Sequence, residues 1–252
     1  MHPLLLKIKR LYRKEKLPDP FAYLYKWFDR TPKGIFQVGA SSGQEIKSFI
    51  TQGIKTGIFV EPLPDAYQEL RKATASQPGY FPVNAVCTDV VGKTCNFYVS
   101  GSGGASSSTL KPSGHLAVHP EVKFDAQPLD LKSTTVDQIA ADFKDRGRAD
   151  VIAALDLLYL DTQGAELSVL EGASGFLNQV QYVFTEVSRG GLYENDVNHR
   201  ALTEFLDSQG FSLVFLYMNK HGWGDALYVR NSLFDEYTPT PLPLKFAHLA
   251  RK

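Results

Sequence analysis

Between Gly34 and Pro62 the chain alternates in a way that few folds accommodate. An apolar run, a glycine-framed turn, a helical stretch and a second apolar run closed by an acid follow one another within 29 residues. Ile35, Phe36 and Val38 form the first run, which stops at Gly39. Gly39 and Gly43 then frame a turn of small residues (Ala40, Ser41, Ser42), and helical spacing begins over Glu45 to Ile50. Small residues let a ligand lie against the backbone, and a helix start presents unpaired N–H groups. Ile58, Phe59 and Val60 read as the second strand, with Glu61 at its tip, about 20 residues after the first glycine. An acid at that distance accepts the hydroxyls of a ribose. The segment therefore predicts a parallel α/β sheet with a nucleoside site.

The spacing also selects among nucleosides. A dinucleotide fingerprint needs G-x-G-x-x-G, whereas Ser41 occupies the middle position here. A phosphate loop needs Lys followed by Ser or Thr after the last glycine, and Gln44-Glu45 stands there instead. Glu45 would repel phosphate. A ligand with a ribose and a carboxylate but no phosphate fits, which favours S-adenosyl-L-methionine. G-x-x-x-G alone also serves simple strand–helix packing, so Glu61 carries much of that reading.

The rest of the chain supports one enzyme-sized unit. With 252 residues and 43% hydrophobic composition it can bury a full core. Its 27 basic and 27 acidic residues balance, so no global field recruits nucleic acid. No apolar run approaches the roughly 20 residues that span a bilayer, and no signal-peptide pattern is present, so a cytoplasmic protein is expected. Cys87 and Cys95 fit no metal spacing and read as free thiols.

Three segments divide the chain: an N-terminal helical extension over 1–30, the main domain over 31–235 and a tail over 236–252. In the extension, Lys7, Lys9, Arg10, Arg13, Lys14 and Lys16 face only Glu15, with Leu4, Leu5, Ile8 and Leu11 interleaved. This reads as a helix packing its leucines on the core, or as one leaning on an anionic membrane surface. Phe21, Tyr23, Leu24, Tyr25, Trp27 and Phe28 continue as an aromatic-rich helix, for which core packing is the default. Asp65 to Ala75 has helical spacing, and Tyr80 to Val86 reads as a third strand that places Asn84 and Ala85 beside the adenine. Residues 101–109, rich in glycine and serine, read as a lid or a surface linker. Thr134 or Thr135 caps a helix reaching Phe143.

A second informative block begins at Leu157. Leu157 to Leu160 form a buried strand ending at Asp161, Gln163-Gly164 make a turn, and Ala165 to Leu170 start a helix. Val183 to Thr185 give another strand, ending in Glu186. Two acids at the carboxyl ends of adjacent parallel strands point into one cleft; the alternative is that both only cap helices.

Phe36-Gln-Val-Gly-Ala-Ser-Ser-Gly-Gln, Val60-Glu-Pro, Thr134-Thr-Val-Asp, Leu160-Asp-Thr-Gln-Gly-Ala-Glu-Leu-Ser-Val-Leu-Glu-Gly-Ala and Thr185-Glu, in this order from about Gly34 to Arg230, resemble the FkbM-type S-adenosylmethionine-dependent methyltransferases. The resemblance implies a class I methyltransferase (Rossmann-like) fold, with a seven-stranded, mostly parallel sheet and helices on both faces. Phe211 to Leu216 and Ala226 to Val229 would supply its last hairpin. It implies O-methylation of a hydroxyl on a sugar or secondary metabolite. An N-methyltransferase acting on an amide or amine, or a non-catalytic binding protein, is the alternative. Two positions depart from the family pattern: Gln37 stands where Asp is usual, and Gln163 where Glu is usual. An amide keeps hydrogen-bonding reach without charge, so Gln163 cannot act as a base.

The expected cofactor-binding set is Gln37, Gly39, Ala40, Ser41, Gly43, Gln44, Glu61, Pro62, Asn84, Ala85 and Asp161. A hydroxyl acceptor must lose its proton, and the candidates for accepting it are Asp161, Glu186 and His199. Tyr193, Tyr217 and Trp223 are candidate sugar platforms. His115, His119 and His221 receive no role, no metal spacing is diagnostic, and the oligomeric state stays open.

Overall fold

The computed structural model describes residues 20–28, 30–101 and 103–235. The basic opening stretch and the proline-rich tail therefore lie outside the described residues. In chain order the elements are α1 (Pro20–Phe28), β1 (Gly34–Val38), α2 (Ile46–Thr51), β2 (Thr56–Val60), α3 (Pro64–Thr74), β3 (Tyr80–Val83), β4 (Val86–Cys87) and β5 (Thr94–Phe97). Then come α4 (His115–Val118), β6 (Leu129–Thr134), α5 (Val136–Asp145), α6 (Ala149–Ala154), β7 (Leu157–Leu160) and α7 (Glu166–Glu171). After a short 3-10 turn follow β8 (Tyr182–Ser188), α8 (His199–Ser208), β9 (Phe211–Met218), β10 (Trp223–Arg230) and α9 (Ser232–Asp235).

Seven strands form the main sheet in the order β3-β2-β1-β7-β8-β10-β9. The β3–β2, β2–β1, β1–β7 and β7–β8 pairs are parallel, and β10 runs antiparallel to both neighbours. This is the expected class I arrangement, including the final hairpin. Strands buried on both faces read as continuous apolar runs, and β1 is buried at every position. One face packs Phe36, Ile58, Leu158 and Val183 against Ile139 of α5, Val169 of α7 and Leu202 and Leu206 of α8. The other packs Ile35, Phe59 and Phe184 against Phe21 and Leu24 of α1 and Phe49 of α2. Phe21, Tyr23 and Leu24 of the aromatic helix are thus core, whereas Tyr25 is exposed. Tyr23 adds a hydrogen bond to the Val214 carbonyl at 2.8 Å, and Phe49 makes an edge contact with Tyr159, its ring centroid 5.9 Å away.

Two strand expectations need correction. The third strand does not run on to Val86: it ends at Val83, and Val86-Cys87 pairs with β6 in a separate three-stranded sheet with β5. The Asn84 amide causes the break by donating to the Glu61 and Pro62 carbonyls at 2.8 and 3.0 Å. Glu186 does not close its strand either. β8 continues to Ser188 because β10 pairs along it, setting Asp225 opposite Glu186. The Thr135 cap is present, its hydroxyl accepting from the Gln138 N–H at 3.0 Å.

Chain order reverses across the sheet at the β1–β7 seam, and a crevice opens beyond the carboxyl ends of strands at such a point. Gly39 and Ala40 N–H both donate to the Val60 carbonyl, and Asp161 N–H donates to that of Val38, so three strand tips are tied together.

Candidate active site

Two neighbouring cavities occupy this crevice. The first, about 340 Å³, is lined by Val38, Gly39, Ser41, Gln44, Glu45, Glu61, Pro62, Ala85, Val86, Cys87 and Phe97, by Gly104, Ala105, Ser107 and Thr109, and by Asp161 to Gln163 with Ala165. The second, about 320 Å³, is lined by Ala105, Ser106, His115, His119, Val122, Asp161, Gln163, Gly164, Glu166, Glu186, Val187, Ser188, Leu192, Tyr193, Asp196 and Trp223. Ala105, Asp161 and Gln163 belong to both. Among the described residues, no lysine or arginine lines either one.

Two strained turns shape the first cavity. Gly39 has φ +84°, and a Cβ there would meet the Asp161 carbonyl oxygen, so only glycine lets β1 and β7 approach so closely. Ser41 sits at φ 46° and Gln163 at φ 55°, a left-handed backbone that costs a non-glycine residue roughly 1–2 kcal/mol. Both strained residues line the site. Glu61 is 5% exposed, and each of its carboxylate oxygens accepts one backbone N–H: Ser41's at 2.8 Å and Leu63's at 2.9 Å. Burial pushes its carboxyl up, and those two bonds oppose the shift. Since an oxygen has a second lone pair, each can still accept a hydroxyl from the cavity.

Of the expected cofactor set, Gly39, Ser41, Gln44, Glu61, Pro62, Ala85 and Asp161 line this cavity. Gln37, Ala40, Gly43 and Asn84 do not. Gln37 is 1% exposed in the interior of β1, and its amide donates to Glu45 at 3.4 Å, so it holds a wall residue in place. Ala40 is fully buried, and Gly43 packs on Ala73, Ile46 and Leu70. Asn84 pins the Glu61 strand tip. Of the loop read as a lid or a surface linker, Gly104, Ala105, Ser107 and Thr109 line the first cavity and Ala105 and Ser106 the second, so it borders the site.

Acids dominate where the cavities meet. The Gln163 amide nitrogen donates to Asp161 Oδ1 and to Glu186 Oε2, both at 2.7 Å. Asp161 and Glu186 also hydrogen-bond each other. Burial pushes Glu186 well above the carboxylate range, and Asp161, Glu166 and Asp225 push it further. Asp161 is exposed toward the cavities it lines, yet the surrounding protein displaces enough solvent to raise its carboxyl; the Gln163 bond opposes that, and so does its bond to Glu186. The pair thus holds a proton on Glu186 while Asp161 is the better placed to be ionised. Burial and then the Asp161 charge push Asp225 up to about 7. Glu166 rises to about 7 through burial, although it accepts the Thr162 and Gly164 N–H groups and the Thr162 hydroxyl.

Of the three proton-accepting candidates, Asp161 and Glu186 meet and His199 does not join them. His199 is the first residue of α8, after the Asn198 cap, and lines neither cavity. Tyr193 and Trp223 line the second cavity and Tyr217 does not. His115 and His119, given no role from sequence, also line it, with ring centroids 5.1 Å apart; the His115 ring lies 5.5 Å from that of Tyr193. Burial lowers the His115 imidazole and favours its neutral form. Their spacing of four on a short helix was the available signal, but nothing in the chain pointed that helix at the cleft. Among the described residues no group of three or more His, Cys, Asp or Glu could hold a metal, both cysteines are free, and no helix is long and apolar enough to cross a membrane.

Comparison with known proteins adds three findings. The family model described as the methyltransferase FkbM domain matches residues 37–213. The 2-O-methyltransferase NoeI of Sinorhizobium fredii is 26% identical over 186 residues, covering 71% of this chain and 72% of the relative. Among solved structures, Streptococcus pneumoniae Sp1610 with S-adenosyl-L-methionine aligns with a TM-score of 0.44 at 13% identity, over 94% of this chain and 80% of that one. Aeropyrum pernix fibrillarin with natively bound S-adenosyl-L-methionine aligns at 0.41 and 12% identity, over 89% and 74%.

Proposed function

Because the chain belongs to the FkbM methyltransferase family, we propose that it methylates a hydroxyl oxygen of a small acceptor seated in the second cavity. Its cofactor is S-adenosyl-L-methionine, and the first cavity fits that group. Glu61 keeps acceptor capacity for two ribose hydroxyls, Gly39 and Ser41 present close backbone, and no cation among the described residues invites a phosphate. Ala85 and Phe97 add apolar surface for a base, and volumes of this order suit small-molecule sites.

When bound, the cofactor supplies an electrophilic methyl on a sulfonium. The protein's share is to hold the acceptor in near-attack geometry and take its proton. Asp161 is the single observation that carries the reading, because it is the one acid that lines both cavities among the described residues. An acceptor hydroxyl in the second cavity reaches it without leaving the cofactor side. Glu186, neutral, donates to Asp161 and so remains a partner of the base. Tyr193 and Trp223 offer rings, and Ser188 and the carboxyls offer polar contacts, which suits a polyhydroxylated ring such as a sugar. The 2-O-methyltransferase relative supports oxygen as the methylated atom.

The test is a screen with methyl-labelled cofactor against neutral polyols, phenols and amines, read by mass spectrometry. Transfer to a hydroxyl, lost in Asp161→Asn, is expected. Transfer to amines alone would overturn the oxygen assignment.

A further inference from the structure

Gln163 lines both cavities, and the geometry there gives its amide a task. Its nitrogen has two hydrogens and spends one on each acid at 2.7 Å, in a turn whose left-handed backbone a glycine would adopt more easily. Its oxygen faces the Tyr193 hydroxyl at 3.4 Å, and the same hydroxyl lies 3.0 Å from the Ser106 carbonyl on the shared loop. A flipped amide would set its oxygen against an ionised carboxylate, so this orientation is the matched one.

We infer that Gln163 is a positioning residue: its amide holds the Asp161 and Glu186 carboxyls at the junction of the two cavities so that Asp161 faces the acceptor as the proton acceptor. This rests on the role given to Asp161 above. The surroundings explain why an amide serves better than an acid. Glu45 from the first turn, Glu166 from α7 and Asp225 from β10 already act on the pair, and Tyr159 and Tyr193 are raised first by burial and then by the charge of these acids. His115 and His119 line the same cavity as Asp161. The Gln163 N–H groups supply neutral donors to both acids, and no lysine or arginine among the described residues lines either cavity. A glutamate at 163 would lose both donors and add a further negative charge; a methionine would lose the donors alone.

The experiment is carboxyl-carbon NMR of the full-length protein, following the titration of Asp161 (assigned by its loss in Asp161→Asn) in wild type, Gln163→Glu and Gln163→Met. Removing a donor to an ionised carboxylate raises its pKa. The Asp161 midpoint is expected to rise by about one pH unit in Gln163→Met and by more in Gln163→Glu, a roughly tenfold or larger loss of ionised base at a pH on that limb. An unchanged midpoint in Gln163→Met overturns the inference even if Gln163→Glu shifts, because charge alone would then account for the effect. Should neither variant fold, the wild-type Gln163 side-chain N–H signals decide. They must shift with the Asp161 titration, and pH-independent signals would overturn the inference. Because none of these readouts needs turnover, they stand apart from the acceptor screen: a wild type that titrates as described yet methylates nothing would sink the function and leave the positioning intact.

Discussion

At the residue scale, a carboxylate earns a role through its neighbours. Asp161, Glu166, Glu186 and Asp225 are all raised by burial. Only Asp161 both lines the two cavities and has a neutral donor holding its charge. Asp161→Asn should therefore leave cofactor affinity nearly intact and cut turnover by roughly 10²–10⁴, the usual worth of a positioned base; calorimetry beside steady-state kinetics checks both halves. Activity should rise with pH across the Asp161 titration, which lies above the ordinary aspartate range, since the base works only when deprotonated. A rate that falls over that interval would assign the proton step elsewhere. Glu61, Asp161 and Glu186 were legible in the sequence because each follows an apolar strand toward the crevice. His115, His119 and Asp196 were not, because loop and short-helix residues reach a cleft only through tertiary packing.

Elements carry the next layer. Strand tips β1, β2 and β7 converge because Gly39 lacks a side chain where the Asp161 carbonyl passes. Gly39→Ala should pry β1 from β7, lowering thermal stability and weakening cofactor binding together; a variant that kept both would refute the close approach. Beneath that seam Phe49 of α2 touches Phe21, Phe59 and Tyr159. Phe49→Ala should cost about 3–5 kcal/mol in denaturant unfolding, as for other buried aromatics. Period and composition predicted α2, α3 and α5 well, and the last hairpin falls where the family resemblance put it. The misplacements have local causes. Asn84 stops β3 through bonds to the neighbouring strand tip, and β10 lengthens β8 past Glu186. Neither partner is close in sequence, so a local pattern cannot announce them.

For the whole molecule, balanced formal charge hides an uneven interior. Glu166 and Asp225, pushed up to about 7, hold protons in the folded state that the unfolded chain has already released. Between roughly pH 4 and 7 the native state then binds more protons than the unfolded state, so stability falls as pH rises across that window. Thermal melts from pH 5 to 8 should show the decline. Asp225→Asn, which removes one of these groups, should flatten it and gain stability at the upper end; a slope identical to wild type would acquit Asp225. The acidic interior is a consequence of the site, since the same cluster that costs stability supplies the proton acceptor. The measurement that bears most directly on this account is calorimetry of S-adenosylhomocysteine with wild type and Glu61→Gln. Wild type should bind, and the variant should bind about tenfold or more weakly, because a charge-assisted acceptor for two hydroxyls is lost. Equal affinity in the two proteins, or no binding to wild type, would contradict it.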